Sequence, residues 1–334
     1  MTLPKTYRKL VATKFTRNFR EAAQVVEEEL RPPAAKEVVI RNRFAGVNAS
    51  DINITSGKYF YTKEPPIDLG IESAGEVVSV GKDVTQFKVG DSVLTFVIGG
   101  GYREYLITDE SNVYPVPQIQ PEMLALICSG LPASIGLNVT GQLKSGETVL
   151  VTAAAGGTGQ FAVQLAKLAG AHVIGTCGSE EKVELLRELG CDRVINYRRE
   201  DVKDVLQKEY PKGIQLVYEN VGGQLFDTCV DALAQHGRLI VIGYVSEYQT
   251  DAQPVTAPRI YQKLLWKSLS IRACFIPDHF EIWRPHLALL VELLQTGKIK
   301  AKIDPTELIG LESVAAGVEH LHSGRSRGKV VVRL

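Results

Sequence analysis

The sequence has few cysteines and no imbalance of charge, and both features exclude certain classes of protein. Its five cysteines are scattered and never form a C-x-x-C pair: Cys128, Cys177, Cys191, Cys229 and Cys274. This spacing argues against a disulfide framework and a four-cysteine structural zinc site, and it is typical of a reducing compartment. Lys and Arg number 38, as do Asp and Glu, so the net charge is zero. A neutral chain has no electrostatic reason to coat nucleic acid or an anionic membrane, and we expect a small-molecule partner.

Long apolar runs are also scarce. The uncharged stretch at 123–143 is interrupted by polar residues, glycine and proline, so we expect no membrane span. No apolar segment opens the sequence, and we expect no secretory signal. The first twenty residues carry basic side chains and no acid, although 10–15 alternate like a strand. We therefore expect an intracellular, cytoplasmic location and leave a peroxisomal or mitochondrial one open.

Length and patterning predict two domains. With 334 residues, of which 45% are hydrophobic, the chain is long enough to bury two cores. Residues 1 to about 120 contain short alternating runs, such as 37–43 and 75–80, separated by glycine and proline, which predict β-strands. From about 145, predicted strands at 148–152, 172–177, 192–196, 215–219 and 238–242 alternate with predicted helices at 160–169, 179–189, 201–210 and 224–233. This alternation predicts an α/β fold with a doubly wound parallel sheet, followed by a helix at 281–296 and a strand at 329–333.

The clearest candidate site follows the first strand of this α/β region. Residues 153–159 read AAAGGTG and separate a predicted strand from a predicted helix. Small residues let the backbone approach a pyrophosphate, and the free N–H groups at the start of the helix attract its charge. The spacing from Ala153 to Gly159 is A-x-x-G-x-x-G rather than G-x-G-x-x-G, so an alanine stands where the motif would open with a glycine. The alternative is a tight turn without a ligand, but the βαβαβ context favours dinucleotide binding.

The end of the second strand bears on which dinucleotide binds. NAD sites use an acid there to hold the ribose 2′-hydroxyl, but this strand ends in GTCG at 175–178. Glu180 and Glu181 fall inside the next predicted helix, for which Ser179 is the expected N-cap. Ser179 and Lys182 supply a hydroxyl and a charge for a 2′-phosphate, although a solvated helix lysine is the alternative for Lys182. We therefore predict NADP as the cofactor.

Motifs along nearly the whole chain resemble a known family. They are, in order, GVNASDIN at 46–53, SGKY at 56–59, GIESAGEV at 70–77, VGDSV at 89–93, the loop at 153–159, GSEEK at 178–182, ENVGG at 219–223 and GKVV at 328–331. With these motifs the sequence resembles the medium-chain dehydrogenase/reductase superfamily, in its zinc-free branch of quinone oxidoreductases and prostaglandin reductases similar to leukotriene B4 12-hydroxydehydrogenase. The resemblance implies a β-rich GroES-like catalytic domain at 1–125, an inserted Rossmann domain at 126–268, and a return to the catalytic domain at 269–334.

Differences from the zinc alcohol dehydrogenases of this superfamily bear on metal binding. Those enzymes carry a cysteine where this chain has Ala49 and Ser50, a histidine where it has Ile71, and a cysteine cluster within 85–110, where this sequence has no cysteine. A catalytic zinc needs about three Cys, His or carboxylate ligands. Glu72 alone cannot provide them, so we expect no metal.

The resemblance also implies which residues surround the cofactor and substrate. Cofactor contacts carried over from the family are Gly156, Gly157, Thr158, Gly159, Ser179, Lys182, Tyr197, Asn220, Gly243, Tyr244, Ser246, Cys274, Phe275, Ile276 and Ser326. The candidate catalytic residues are Tyr59, Tyr248 and Asn48, with Tyr261 as a further tyrosine, and each has a packing or turn-capping role as its alternative. No histidine base can be placed beside Cys274 from the sequence, so we predict a packed thiol there.

Without a metal, hydride transfer to an electrophilic carbon–carbon double bond is the favoured chemistry. We expect an oxidoreductase of EC class 1 that reduces α,β-unsaturated ketones with NADPH, and the resemblance implies lipid-derived enones such as 15-oxo-prostaglandins, hence a 15-oxoprostaglandin 13-reductase activity. The enolate formed needs hydrogen-bond donors and a proton, from a tyrosine, the ribose hydroxyl or water. Two alternatives stay open: an NADPH quinone oxidoreductase and a non-catalytic NADPH-sensing or scaffold protein. Family relatives pair edge strands, so we expect a homodimer through 239–242 and 268–274.

Overall fold

The computed structural model describes residues 3–59, 64–251 and 259–334. They form two compact units, the first from Met1–Cys128 and Ile303–Leu334 and the second from Ser129–Lys302. The middle of the chain therefore folds as a unit of its own, while the first and last parts of the chain share the other.

Strands dominate the first part of the chain and alternate with helices in the middle. Up to residue 125 the elements are β1 (Thr6–Ala12), α1 (Phe19–Ala22), β2 (Ala23–Glu29), β3 (Glu37–Gly46), α2 (Asp51–Thr55), β4 (Ile67–Asp68), β5 (Glu72–Val80), β6 (Ser92–Phe96), β7 (Tyr105–Asp109), β8 (Val113–Pro115) and α3 (Pro121–Ala125). The middle contains α4 (Leu131–Ile135), β9 (Thr148–Val151), α5 (Gly159–Leu168), β10 (His172–Cys177), α6 (Glu180–Glu188), β11 (Arg193–Asn196), α7 (Val202–Glu209), β12 (Ile214–Glu219), α8 (Gly223–Asp231), β13 (Leu233–Val241), α9 (Tyr261–Lys267), β14 (Ser270–Ala273) and α10 (Trp283–Gln295). The last elements are α11 (Val314–His322) and β15 (Val331–Arg333).

The first unit contains two antiparallel sheets. One has three strands in the order β2-β1-β4, and in the other β15-β3-β5-β6-β8 form a path, with β7 paired to β3. In the second sheet Val332 of β15 lies opposite Ala45 of β3. Both of these side chains belong to a buried core that also takes in Leu69, Val314 and Val318. The end of the chain is therefore built into the β-rich unit through both a strand and a helix.

The second unit is organised around a parallel sheet with the strand order β11-β10-β9-β12-β13-β14. Strands β9, β10 and β12 are buried along nearly their whole length, as expected where helices cover both faces of a parallel sheet. From β9 the chain adds β10 and β11 on one side of the sheet, and it then adds β12, β13 and β14 on the other side. The strand order therefore reverses between the neighbours β9 and β12. The carboxyl ends of these two strands form the switch point at which ligands bind in doubly wound sheets.

The parallel sheet continues further along the chain than the sequence predicted. The expected return to the first domain at 269 falls before β14, which pairs in parallel with β13, and before α10, which packs on α4. The chain rejoins the first unit only at Ile303. Strand β13 also begins earlier than the predicted 238, because Leu233 already pairs with Ile214 ahead of a register shift.

One helix, Pro121–Thr140, is long and apolar enough to cross a membrane by length and composition alone. It contains α3 and α4, and each is followed by a wider π-helical turn. Of its most apolar 18-residue window, 78% is buried inside the protein. A buried core helix passes the same test as a membrane span, and the burial favours the core helix.

Candidate active site

The loop after β9 turns the chain sharply into α5. Ala153 adopts a left-handed backbone conformation with a φ of 48°, which glycine adopts without steric cost. A Cβ on Gly159 would lie 2.5 Å from the Ala153 carbonyl oxygen, so glycine is required where the helix begins. The Ala154 N–H donates to the Thr176 carbonyl of β10 at 3.0 Å and ties the loop to the sheet. Because the first N–H groups of a helix have no partner within it, this turn fits the pyrophosphate of a dinucleotide.

Ser179 and Lys182, predicted for the 2′-phosphate, lie beyond the end of β10 together with Tyr197, another predicted cofactor contact. Ser179 is the N-cap of α6, and its Oγ accepts from the Lys182 N–H at 3.4 Å. The half-exposed Tyr197 packs its hydroxyl directly over Gly178, where a Cβ would collide with it. Two hydroxyl-bearing side chains and a lysine therefore stand at one end of the sheet.

The first acidic side chain after β10 is bonded to side chains at and just beyond the end of β11. Glu180 Oε1 accepts from Asn196 Nδ2 at 2.7 Å and pairs with Arg199 Nε at 3.0 Å. Since Asn196 is the last residue of β11, this carboxylate is drawn toward the neighbouring strand. Strand β10 itself ends at Cys177 and offers no acid to a ribose 2′-hydroxyl.

The loops after β12 and β13 bond to each other at the switch point. Val245 N–H donates to Asn220 O at 3.2 Å, and Ser246 Oγ donates to Val221 O at 2.6 Å. Asn220 also reaches across to the end of β9, where its Nδ2 donates to Thr152 O at 2.7 Å. The structure thus brings together Asn220 and Ser246, two cofactor residues that the sequence places on separate loops.

Tyr248 packs against the loop that follows β13. Its ring lies edge-on to Tyr244 with centroids 4.7 Å apart, and a Cβ on Gly243 would lie 3.1 Å from its hydroxyl oxygen. Only 5% of Tyr248 is exposed. This burial favours the packing alternative for Tyr248, and a part in proton transfer stays a prediction.

Cys274, Phe275 and Ile276 follow the edge strand β14. The Cys274 N–H donates to Val241 O at 3.0 Å, which extends the pairing with β13. Burial raises the pKa of the Cys274 thiol, so the thiol is neutral, as a packed residue would be. Phe275 is exposed, and the Ile276 carbonyl accepts from Trp283 Nε1 at 3.1 Å.

Asn48 belongs to a buried network of the first unit. Its Nδ2 donates to Glu72 Oε1 at 2.9 Å and to Gly46 O at 3.2 Å, and its Oδ1 accepts from Lys329 Nζ at 2.7 Å. Lys329 Nζ also pairs with Glu72 at 2.5 Å, and these two side chains are 3% and 0% exposed. Both N–H groups of the Asn48 side chain therefore donate to groups within the first unit. This geometry favours a structural role for Asn48, and its catalytic role stays a prediction.

Asp51 belongs to the same network, and neither Asp51 nor the network was predicted from the sequence. Its Oδ2 accepts from the Tyr102 hydroxyl at 2.5 Å and from the Asn48 N–H at 2.9 Å. Burial raises the pKa of Asp51 to about 7, against the hydrogen bond from Tyr102 and the charge of Lys329. The signal in the sequence was the presence of ionisable residues inside the motifs at 46–53, 70–77 and 328–331, most of whose other residues are small or apolar.

Tyr59, Ser326 and Tyr261 lie elsewhere in the two units. Tyr59 packs against the core of the first unit, and Ser326 is half-buried in the same unit. Tyr261 begins α9 in the second unit and is largely exposed. Their predicted roles toward substrate or cofactor stay predictions.

The residues present do not fit a zinc site. Within residues 3–59, 64–251 and 259–334, no group of three or more His, Cys, Asp and Glu side chains comes together in the manner of metal ligands. Glu72 is bonded to the Lys329 ammonium, the Asn48 amide and, at 3.2 Å, the Cys128 N–H. These donors already satisfy the carboxylate that a metal would otherwise bind.

Comparisons with known proteins match this architecture. Residues 34–118 match the alcohol dehydrogenase GroES-like domain, and residues 157–292 match the zinc-binding dehydrogenase family. The chain is 45% identical to prostaglandin reductase-3 of Mus musculus, over 99% of this chain and 90% of that protein. It is 41% identical to a probable quinone oxidoreductase of Leishmania amazonensis, over 100% of both chains. The solved structure of Escherichia coli quinone oxidoreductase complexed with NADPH is similar with a TM-score of 0.86 and 28% identity, covering 98% of this chain and 100% of that one.

These likenesses confirm the predicted resemblance and the predicted fold. The GroES-like match falls in the β-rich unit, and the dehydrogenase match begins at the end of the loop after β9 and takes in the strands of the parallel sheet from β10 to β14. The loop geometry and the NADPH complex of a relative together support a nicotinamide cofactor. The chain belongs to the medium-chain dehydrogenase/reductase superfamily, close to its prostaglandin reductases and quinone oxidoreductases, and it is an oxidoreductase.

Proposed function

We propose that the protein uses NADPH to reduce the carbon–carbon double bond of α,β-unsaturated ketones, with lipid-derived enones such as 15-oxo-prostaglandins as substrates. The observation that carries the cofactor is the grouping of Ser179, Lys182 and Tyr197 beyond β10, together with the engagement of Glu180 by Asn196. Hydroxyl and ammonium groups suit a 2′-phosphate, whereas a carboxylate would repel it.

The enone is supported by the site's chemistry and by the likeness to prostaglandin reductase-3. The residues present do not fit zinc, which stabilises alkoxides in alcohol oxidation, and an enone is already electrophilic at its β-carbon. The cofactor, when bound, supplies the hydride. The enolate then needs hydrogen-bond donors at the ketone oxygen and a proton at the α-carbon, from a tyrosine, the ribose hydroxyl or water. Tyr59 is our first candidate for this donor, because Tyr248 is more deeply buried.

Turnover of a 15-oxo-prostaglandin tests the proposal. Purified protein is mixed with this substrate and NADPH, with NADH in a parallel reaction, and the product mass is recorded. We expect NADPH consumption and a gain of two hydrogens at the double bond. Consumption that is faster with NADH would contradict the proposed 2′-phosphate site, and consumption without saturation of the double bond would contradict the reaction.

Quinone reduction is a second candidate, favoured by the full-length likeness to a probable quinone oxidoreductase. It needs the same cofactor site and no proton donor at an α-carbon. Turnover of quinones but not enones would favour this candidate. NADPH binding without turnover of either acceptor would instead favour a sensing or scaffold role.

We propose a homodimer formed through the free edge of β14. Among the described residues this strand has β13 on one side and no strand on the other, and an unpaired edge invites pairing with a second chain. The adjacent helix α9 carries two large exposed apolar side chains, Leu265 (78% exposed) and Trp266 (73%). A second copy would cover both the edge and these side chains.

We also propose a cytoplasmic location, in keeping with five unpaired cysteines. Free thiols persist in reducing compartments. Fluorescence microscopy of the tagged full-length chain checks this proposal, and a signal confined to mitochondria or peroxisomes would contradict it.

A further inference from the structure

A buried carboxylate lies at the switch point of the parallel sheet. Glu219 is the last residue of β12 and is 0% exposed. Its carboxylate accepts hydrogen bonds from the Val221 N–H at 2.8 Å, the Gly222 N–H at 3.0 Å and the Thr152 hydroxyl at 3.1 Å. Because Thr152 directly follows β9, one carboxylate joins the ends of the two strands that border the ligand crevice.

Three loops at this crevice depend on the same set of hydrogen bonds. The Thr152 hydroxyl accepts from the Asn220 N–H at 2.8 Å. The carbonyls of Asn220 and the next residue accept in turn from Val245 and Ser246, in the loop after β13. The AAAGGTG loop begins one residue after Thr152. The loops after β9, β12 and β13 are therefore one hydrogen-bonded assembly with Glu219 at its base.

The fold of the sheet does not by itself require an acid at this position. Within the described residues Glu219 takes part in no ion pair, and only hydrogen-bond donors offset the cost of burying its charge, a cost that an apolar residue would avoid. What the carboxylate provides is two acceptor oxygens for three donors. A glutamine would offer one oxygen and would direct N–H groups toward another donor.

We propose that Glu219 is a positioning residue for the nicotinamide half of the cofactor. The proposed 2′-phosphate site follows β10, which lies on one side of β9, whereas β12 and β13 lie on the other side. A dinucleotide with its pyrophosphate at the start of α5 therefore extends its nicotinamide half over the loops that Glu219 holds. This inference rests on the proposed cofactor site and on neither the substrate nor the reaction.

The substitution Glu219→Gln tests this by comparing two ligands. NADP⁺ carries both halves of the cofactor, and adenosine 2′,5′-bisphosphate carries only the adenine half. In isothermal titration calorimetry we expect the dissociation constant of NADP⁺ to rise about tenfold or more, and that of adenosine 2′,5′-bisphosphate to change by less than about twofold. Glu292→Gln makes the same chemical change at an exposed acid of α10 and should change neither constant.

The other possible results of this titration also decide whether the proposal holds. Equal weakening of both ligands would indicate a purely structural role and would overturn it, as would unchanged binding of both. Should Glu219→Gln fail to fold, Thr152→Val removes one donor to the carboxylate and should produce the same difference between the ligands.

A wild-type protein that binds NAD⁺ instead of NADP⁺ overturns the proposed cofactor, while a difference between NAD⁺ and AMP in Glu219→Gln would then support the role of Glu219. Wild-type protein that binds neither dinucleotide overturns both proposals.

The pH dependence of binding is a readout that a structural role would not share. Burial raises the pKa of Glu219. Among the described residues, Cys229 of α8 is the titratable group that interacts with it, and this thiol is neutral because burial raises its pKa well above the usual range. As the pH falls through the pKa of Glu219, the carboxylate gains a proton and loses an acceptor, so NADP⁺ affinity should fall. Glu219→Gln should lack this loss, since the ligand's phosphates titrate alike in both proteins. The same acid dependence in both proteins would overturn the proposal.

Discussion

At the scale of single residues, the first unit contains a buried cation in direct contact with a buried anion. Lys329 and Glu72 are almost completely buried and pair at 2.5 Å. Lys329→Met keeps an apolar side chain of similar length but leaves the Glu72 carboxylate without a cation. We expect the apparent free energy of unfolding in urea to fall by about 3–5 kcal/mol. Lys298→Met, at an exposed lysine, should change it by less than about 0.5 kcal/mol, and equal stability of the two variants would contradict a role for the pair.

Asp51 makes stability depend on pH. Burial raises its pKa to about 7 from an ordinary value of 3.8, so the folded protein binds this proton more tightly than the unfolded chain. The stability that Asp51 contributes is therefore present below about pH 4 and lost as the pH rises through about 7. Asp51→Asn stays uncharged and still accepts from Tyr102 and the Asn48 N–H. Its melting temperature should fall less than that of the wild type between about pH 5 and pH 8, and parallel curves would contradict this prediction.

Residue-level prediction from the sequence succeeds where the physical cause is local. The N-cap at Ser179 follows from its own hydroxyl and the next few residues, and the structure has it as predicted. The network of Asn48, Glu72 and Lys329 was not predicted, because its members come from three distant motifs. Their contact follows only from the pairing of β5 and β15 with β3.

At the scale of elements, the start of α6 determines the proposed cofactor preference. Ser179→Asp should preserve the helix, since aspartate caps as well as serine, while it adds a negative charge where the 2′-phosphate is proposed to bind. We expect the affinity for NADPH to fall about thirtyfold or more, from a lost hydrogen bond and like-charge repulsion, and the affinity for NADH to rise. Fluorescence titration of both cofactors measures the change.

Ser179→Ala is the matched control for this substitution. It removes the cap, at a cost of about 1 kcal/mol in stability, and adds no charge, so its effect on the ratio of NADPH to NADH affinity should be the smaller one. An unchanged ratio in Ser179→Asp would place the 2′-phosphate elsewhere.

The elements of the parallel sheet were the most predictable part of the chain. Strand β10 has the predicted bounds 172–177, and α5 and α7 lie within a residue or two of theirs. Buried parallel strands are short apolar runs followed by amphipathic helices, and both patterns are local. Strand β14 was harder to assign to a domain, because its half-buried sequence shows no preference between sheets and its place depends on pairing with β13.

At the scale of the whole molecule, the edge of the parallel sheet predicts the assembly. Trp266 and Leu265, in the helix that precedes the edge strand β14 in the chain, are more than two-thirds exposed, so a charge at Trp266 costs the single chain little but opposes burial against a second copy. In sedimentation equilibrium we expect the wild type at twice 36.6 kDa, and Trp266→Glu with a large fraction at the mass of one chain. Leu289→Glu, at an exposed leucine of α10, should leave the mass unchanged. A wild type that sediments as one chain would contradict the dimer, and an unaffected Trp266→Glu would move the interface away from α9.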